Sequence, residues 1–136
     1  MTRTFIRILM ADDDLEDLEL IEEHILQVEP TIKLDKFIDG RSAYEYLSSQ
    51  PDGDLPSLII LDYNMPGLNG PQLLFSLKTG KRYKSIPKIV LSSSSAAQFI
   101  DECLKNGATE YIVKPDNMKE VHDLAKKLVS LAAKTH

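Results

Sequence analysis

The sequence predicts an α/β fold, a doubly wound sheet of five parallel strands with five helices on its two faces. Two observations carry that prediction. Short apolar, branched runs alternate with longer stretches of helical periodicity along the chain, and such alternation implies parallel strands joined by right-handed crossovers. In addition, LIILDYNMPGLNG (Leu58–Gly70) runs four apolar residues without alternation into an aspartate, then into proline and glycine. An unalternating run marks a strand buried on both faces, and the breakers end it at Asp62.

The elements follow in chain order. FIRILMA (Phe5–Ala11) reads as a strand, and Leu15–Glu29 as a helix with Leu18, Ile21, Ile25 and Val28 on one face. Asp14, with Asp17, stands where that helix needs a cap. Thr31–Phe37 is a strand closed by Asp39-Gly40, and Arg41–Gln50 is a short helix. Leu58–Leu61 is the third strand. PQLLFSLKT is a helix opened by Pro71 and stopped by Gly80. Lys88–Ser92 is the fourth strand, Ala96–Asn106 a helix ended by Gly107, and Tyr111–Val113 the fifth strand. The last helix, Met118–Lys134, turns Val121, Leu124, Leu128 and Leu131 inward.

Length and composition bound the function. The 136 residues suit one domain, residues 1–136, with 43% hydrophobic and 27% charged residues, enough to bury a core. A net charge of −5 argues against nucleic acid, whose binders present a basic face. The exception is KTGKRYKSIPK (Lys78–Lys88), with five basic residues; it reads as a solvated helix end and loop, or as a partner contact. The one cysteine, Cys103, excludes an internal disulfide and reads as a small buried apolar residue. MTRTFIRILM lacks a cleavage site and is no signal peptide. No apolar run approaches the ~18 residues of a membrane span, so a soluble, cytoplasmic protein without membrane insertion is expected. His24, His122 and His136 call for no special role.

Polar groups collect just after the strands. ADDD (Asp12–Asp14) follows the first, Asp62 the third, the serines Ser92–Ser95 close the fourth, and Lys114-Pro115 follows the fifth. In doubly wound sheets, sites form outside these carboxyl ends. If the first and third strands are neighbours, their carboxylates converge, and two such charges about 4 Å apart repel by roughly 4 kcal/mol at an effective dielectric near 20. A positive group belongs there: Lys114, or a hard dication such as Mg²⁺, which takes one or two carboxylates and often engages a phosphoryl group. Carboxylate, lysine, hydroxyl and metal together suit phosphoryl chemistry, with a carboxylate as nucleophile.

ILMADDD, LIILDYNMPGLNG, IPKIVLSSS and GATEYIVKP, in that order and spacing, resemble the motifs of the response-regulator receiver domain of two-component signalling, from about Phe5 to Leu131. The resemblance implies a flavodoxin-like sheet of order 2-1-3-4-5. It implies that Asp62 is the phosphorylated aspartate, that Asp13 binds Mg²⁺ directly and Asp12 largely through water, and that Asn64 lends the metal its backbone carbonyl. Lys114 would pair with the phosphoryl oxygens, across a Lys114-Pro115 bond expected to be cis. Ser92, with Ser93 as the alternative, would be the sensing hydroxyl, and Tyr111 the aromatic that swings inward on activation. Some features depart from the family: serine at the hydroxyl position, Asn69-Gly70 as the turn, Asp116 after Lys114-Pro115, and a slightly long SSQPDGDLPS.

The function implied is a single-domain response regulator. A histidine kinase or a histidine phosphotransfer protein would supply the phosphoryl group, and because the chain stops after the fifth helix, a separate protein target would receive the output. An adaptor of the same fold acting without phosphorylation is one rival. An aspartate-nucleophile phosphatase is another, but it needs a second aspartate where this chain has Asn64.

Overall fold

The computed structural model describes residues 5–135. The readings of MTRT as no leader and of His136 as a residue without a role lie outside them. The elements are β1 (Arg7–Ala11), α1 (Leu15–Val28), β2 (Lys33–Phe37), α2 (Gly40–Ser49), β3 (Leu58–Leu61), α3 (Gly70–Lys78), β4 (Lys88–Ser92), α4 (Ala97–Lys105), β5 (Glu110–Val113) and α5 (Met118–Thr135). Strands pair in parallel in the order β2-β1-β3-β4-β5, the expected doubly wound, flavodoxin-like arrangement.

Strand periodicity explains the two cores. Successive side chains point to opposite faces, so Ile8, Met10, Leu58 and Ile60 pack with α1 and α5. Leu9, Ala11, Ile59 and Leu61 pack with α2, α3 and Cys103 of α4. All four residues of β3 are buried, which is why its sequence does not alternate. A fully buried aliphatic side chain contributes roughly 1.5–3 kcal/mol, so a charge within β3 would be severely destabilising. Asp62 is tolerated because it stands one residue past the strand.

Several boundaries shift. β1 begins at Arg7 and β2 at Lys33, two residues later than their apolar runs suggest, and α5 buries Ala132 as well, with Leu131 partly buried against the same core. α3 starts at Gly70, capped by Asn69 in a reciprocal capping box with Gln72, so Asn69-Gly70 is a helix start and not a free turn. The long segment before β3 folds into a 3-10 turn at Asp52–Asp54, held by Arg82 Nε at 2.9 Å from Asp52. Among the described residues no peptide bond is cis, which corrects the expectation for Lys114-Pro115. A prolyl bond still favours trans by about 0.5–1 kcal/mol, and the lysine reaches its carboxylates from that isomer.

Candidate functional site

Parallel pairing brings the carboxyl ends of all five strands to one edge, and backbone hydrogen bonds continue the ladders into the residues beyond. Asp12 N donates to Phe37 O at 3.0 Å, Asp62 N to Ala11 O at 2.9 Å, and Lys114 N to Ser92 O at 2.8 Å. These bonds tie together the ends of five sequence-distant strands, β2, β1 and β3 as one set and β4 and β5 as another. Asp12, Asp62 and Lys114 therefore emerge from a rigid frame.

Their side chains meet. Lys114 Nζ lies 2.8 Å from Asp12 Oδ2, 2.7 Å from Asp17 Oδ2 and 3.5 Å from Asp62 Oδ2. Carboxylate oxygens of Asp12, Asp13 and Asp62 all lie within 4.8 Å of one another. Asp12 is buried and Asp13 exposed, so the cluster opens to solvent on the Asp13 side. Asp12 Oδ1 accepts from Asp14 N at 2.9 Å, and Asp62 Oδ1 from Tyr63 N at 2.7 Å. Each carboxylate thus keeps one oxygen for its own loop and turns the other to the lysine.

The electrostatics follow from burial and crowding. Burial pushes the Asp62 carboxyl up to about 6; the Asp12 charge adds to the rise, while Lys114 and the Tyr63 amide oppose it. At Lys114, burial works against the charge, and hydrogen bonds to Asp12 and Asp17 overcome it, so its pKa is raised. Among the described residues, the Lys114 ammonium stands with four carboxylates, Asp12, Asp13, Asp17 and Asp62, which leaves the pocket negative. An oxygen-only donor set of this kind fits a hard dication such as Mg²⁺.

The loop after β3 is shaped by glycine. A Cβ on Gly70 would come 2.6 Å from Asp62 O and 3.1 Å from Tyr63 Cα, so only glycine lets α3 begin against the strand exit. Gly67 takes a left-handed φ of 79°, which a side chain would strain. Asn64 lies exposed in this loop, two residues past Asp62.

Ser92 closes β4 and is buried, whereas Ser93 is exposed. Ser92 Oγ accepts from Ser94 N at 3.3 Å. Tyr111, half-buried on β5, donates from its hydroxyl to Ser94 O at 2.7 Å, tying the β4–α4 loop to the next strand. Asp14 caps α1 through Glu16 N and Asp17 N. Asp17 does not cap; it holds Lys114. That role was missed in the sequence, although Asp17 stands four residues before buried Ile21 on the inward stripe of α1. His24 and His122 pair across α1 and α5, Nδ1 to Nδ1 at 3.2 Å, away from the cluster's residues.

Residues 8–126 match the family model described as the response regulator receiver domain. The chain belongs to that family. This receiver domain is 33% identical over 130 residues to the two-component response regulator ARR7 of Arabidopsis thaliana, an alignment spanning 89% of the chain and 61% of ARR7. It thus spans about three-fifths of the length of that curated relative. The phosphorylated cyanobacterial phytochrome response regulator RcpA superposes with a TM-score of 0.87 at 26% identity, covering 98% of this chain and 97% of RcpA. The Mn²⁺-bound response regulator Rcp1 gives a TM-score of 0.79 at 26% identity, with 92% of each chain covered. Receiver domains are signalling modules of phosphorelays, and the acidic cluster agrees with that assignment. Among the described residues no helix is long and apolar enough to cross a membrane.

Proposed function

We propose that Asp62 accepts a phosphoryl group from the phosphohistidine of a histidine kinase or histidine phosphotransfer protein, in a Mg²⁺-dependent step. The observation that carries this reading is the position of Lys114, 2.8 Å from Asp12 and 3.5 Å from Asp62. An Asp62 oxygen attacks phosphorus, the phosphorus–nitrogen bond to the donor imidazole breaks, and its electron pair returns to that nitrogen. Lys114 offsets charge on the phosphoryl oxygens. Asp12, Asp13, Asp62 and the Asn64 carbonyl would hold the Mg²⁺, Asp13 directly and Asp12 largely through water. When bound, the ion supplies further neutralisation of the transferring group.

The acyl phosphate then biases a two-state element. Ser92 offers its hydroxyl to a phosphoryl oxygen, and its burial at the end of β4 favours it over exposed Ser93. Tyr111 follows through the Ser94 link, and the face of α4, β5 and α5 changes its protein partner. Incubation with Mg²⁺ and acetyl phosphate, read by intact mass, tests the reading. One phosphoryl adduct is expected, absent from Asp62→Asn. No adduct with this donor or with a kinase would instead favour an adaptor that works unphosphorylated.

A further inference from the structure

A second concentration of charge lies at the opposite edge of the sheet, where β4 begins. A cavity of about 390 Å³ there is lined by Leu74, Leu77, Lys78, Lys81, Lys84 and Lys88, with Asn106 and Gly107 closing one side. Its size falls in the range of small-molecule sites. Four lysines around one cavity run against the chain's net charge of −5. None of the four makes a salt bridge among the described residues.

Lys88 is the least ordinary of them. It is only 7% exposed, and its ammonium donates to Tyr83 O at 2.6 Å and Ile86 O at 2.8 Å. An ammonium has three donors, so one remains beyond these two carbonyls. Burial lowers the Lys88 pKa and no anion opposes that shift, which makes an uncompensated cation in a cavity wall costly. Interaction with a helix C-terminus accounts for Lys78 alone, which sits in the last turn of α3 and donates to Lys105 O at 3.3 Å. It does not account for Lys81 and Lys84 in the turn beyond, nor for Lys88 on the strand.

We propose that this cavity binds a small phosphorylated organic anion. Lysine ammoniums are point charges suited to phosphate, and several around one cavity match a multiply charged group. Leu74 and Leu77 offer an apolar wall for the organic part. The site is separate from the carboxylate pocket and does not depend on phosphorylation of Asp62.

The test is an amide NMR titration of the Asp62→Asn chain with ADP in the presence of EDTA, which removes metal-dependent binding at the acidic cluster. Saturable shifts are expected at Gly80, Asn106 and Gly107 and not at Asp12 or Asp13. Lys81→Glu/Lys84→Glu, changed at exposed positions, should weaken ADP by at least about tenfold. Lys88→Met should weaken it too while the remaining amide spectrum stays native. The proposal is overturned if no shift saturates below about 10 mM ADP, or if the double variant binds equally well. It is also overturned if citrate matches ADP at equal ionic strength, or if a polyglutamate peptide binds more tightly and displaces ADP.

Discussion

The Lys114 ammonium lies 2.7 Å from the Asp17 carboxylate, across 97 residues of chain. That is closer than its 3.5 Å approach to Asp62, so α1 holds the lysine partly away from the Asp62 carboxylate. Asp17 therefore competes with Asp62 for the Lys114 ammonium. Asp17→Asn is expected to speed Asp62 phosphorylation by acetyl phosphate about twofold to fivefold, less than 1 kcal/mol of barrier. It should lower stability to urea by about 1 kcal/mol, the upper end for a pair whose acid is partly solvated. A slower reaction would mean that Asp17 orients the lysine for catalysis instead of withholding it.

Asp62 itself should be a source of instability in the metal-free protein. Its carboxyl rises from 3.8 to about 6 on folding, through burial first and the Asp12 charge second. The native state thus binds this proton more tightly than the unfolded chain does. The resulting stability is complete below pH 3.8 and is lost as pH climbs through about 6. Asp62→Asn is accordingly expected to be more stable than the parent at pH 7.5, by about 1–3 kcal/mol, and nearly equal to it at pH 4. Urea unfolding at the two pH values checks this, and a constant difference would remove the charge from the account.

A dication should reverse that penalty. With Mg²⁺ at ~100 times its dissociation constant, linkage gives about 2.7 kcal/mol of added stability, visible as a raised Tm. Asp13 is the exposed member of the acidic cluster, so Asp13→Ala should fold normally and lose most of the Mg²⁺ response. An unchanged response would place the ion elsewhere.

Much of this was legible in the sequence, for physical reasons that differ between residues. Leu58–Leu61 and Lys88–Ser92 were read to the residue because each apolar run is bounded sharply by polar residues, Ser57 and Asp62 for the one, Lys88 and Ser92 for the other. Asp12, Asp13, Asp62 and Lys114 could be placed on one edge because parallel strands share a direction. The edge strand β2, half-exposed along its length, carries a weaker pattern, and its start was misplaced. Asp17 was missed because an acid in the first turn of a helix also serves the helix dipole, and only tertiary contact separates the two roles. The prolyl isomer was likewise invisible, because so small an energy difference leaves no mark on composition.

Gly70 is the position where backbone geometry and chemistry meet most tightly. A methyl group placed 2.6 Å from Asp62 O must push either the strand exit or the start of α3 aside. Gly70→Ala is expected to cost about 1–3 kcal/mol, the usual range for overpacking. It should also slow Asp62 phosphorylation by at least about tenfold, since small displacements of a reacting group are costly. A variant that is destabilised but reacts at the parental rate would show that the loop absorbs the shift away from Asp62.

The bond from the Tyr111 hydroxyl to Ser94 O, 2.7 Å long, gives a way to separate the switch from the chemistry. Tyr111→Phe keeps the ring that packs against the second core and deletes this one hydrogen bond, at about 0.5–1.5 kcal/mol. Because Ser94 lies in the loop that follows Ser92, the loss should concentrate there. Amide hydrogen exchange across residues 93–96 is expected to quicken by up to about tenfold. Tyr111 is not among the groups that surround Asp62 and Lys114, so acetyl phosphate should modify the variant within about twofold of the parental rate. Quicker exchange with unaltered phosphorylation would make the tyrosine a coupling element between the loop and β5. Unaltered exchange with slowed phosphorylation would instead place its influence on the carboxylate pocket.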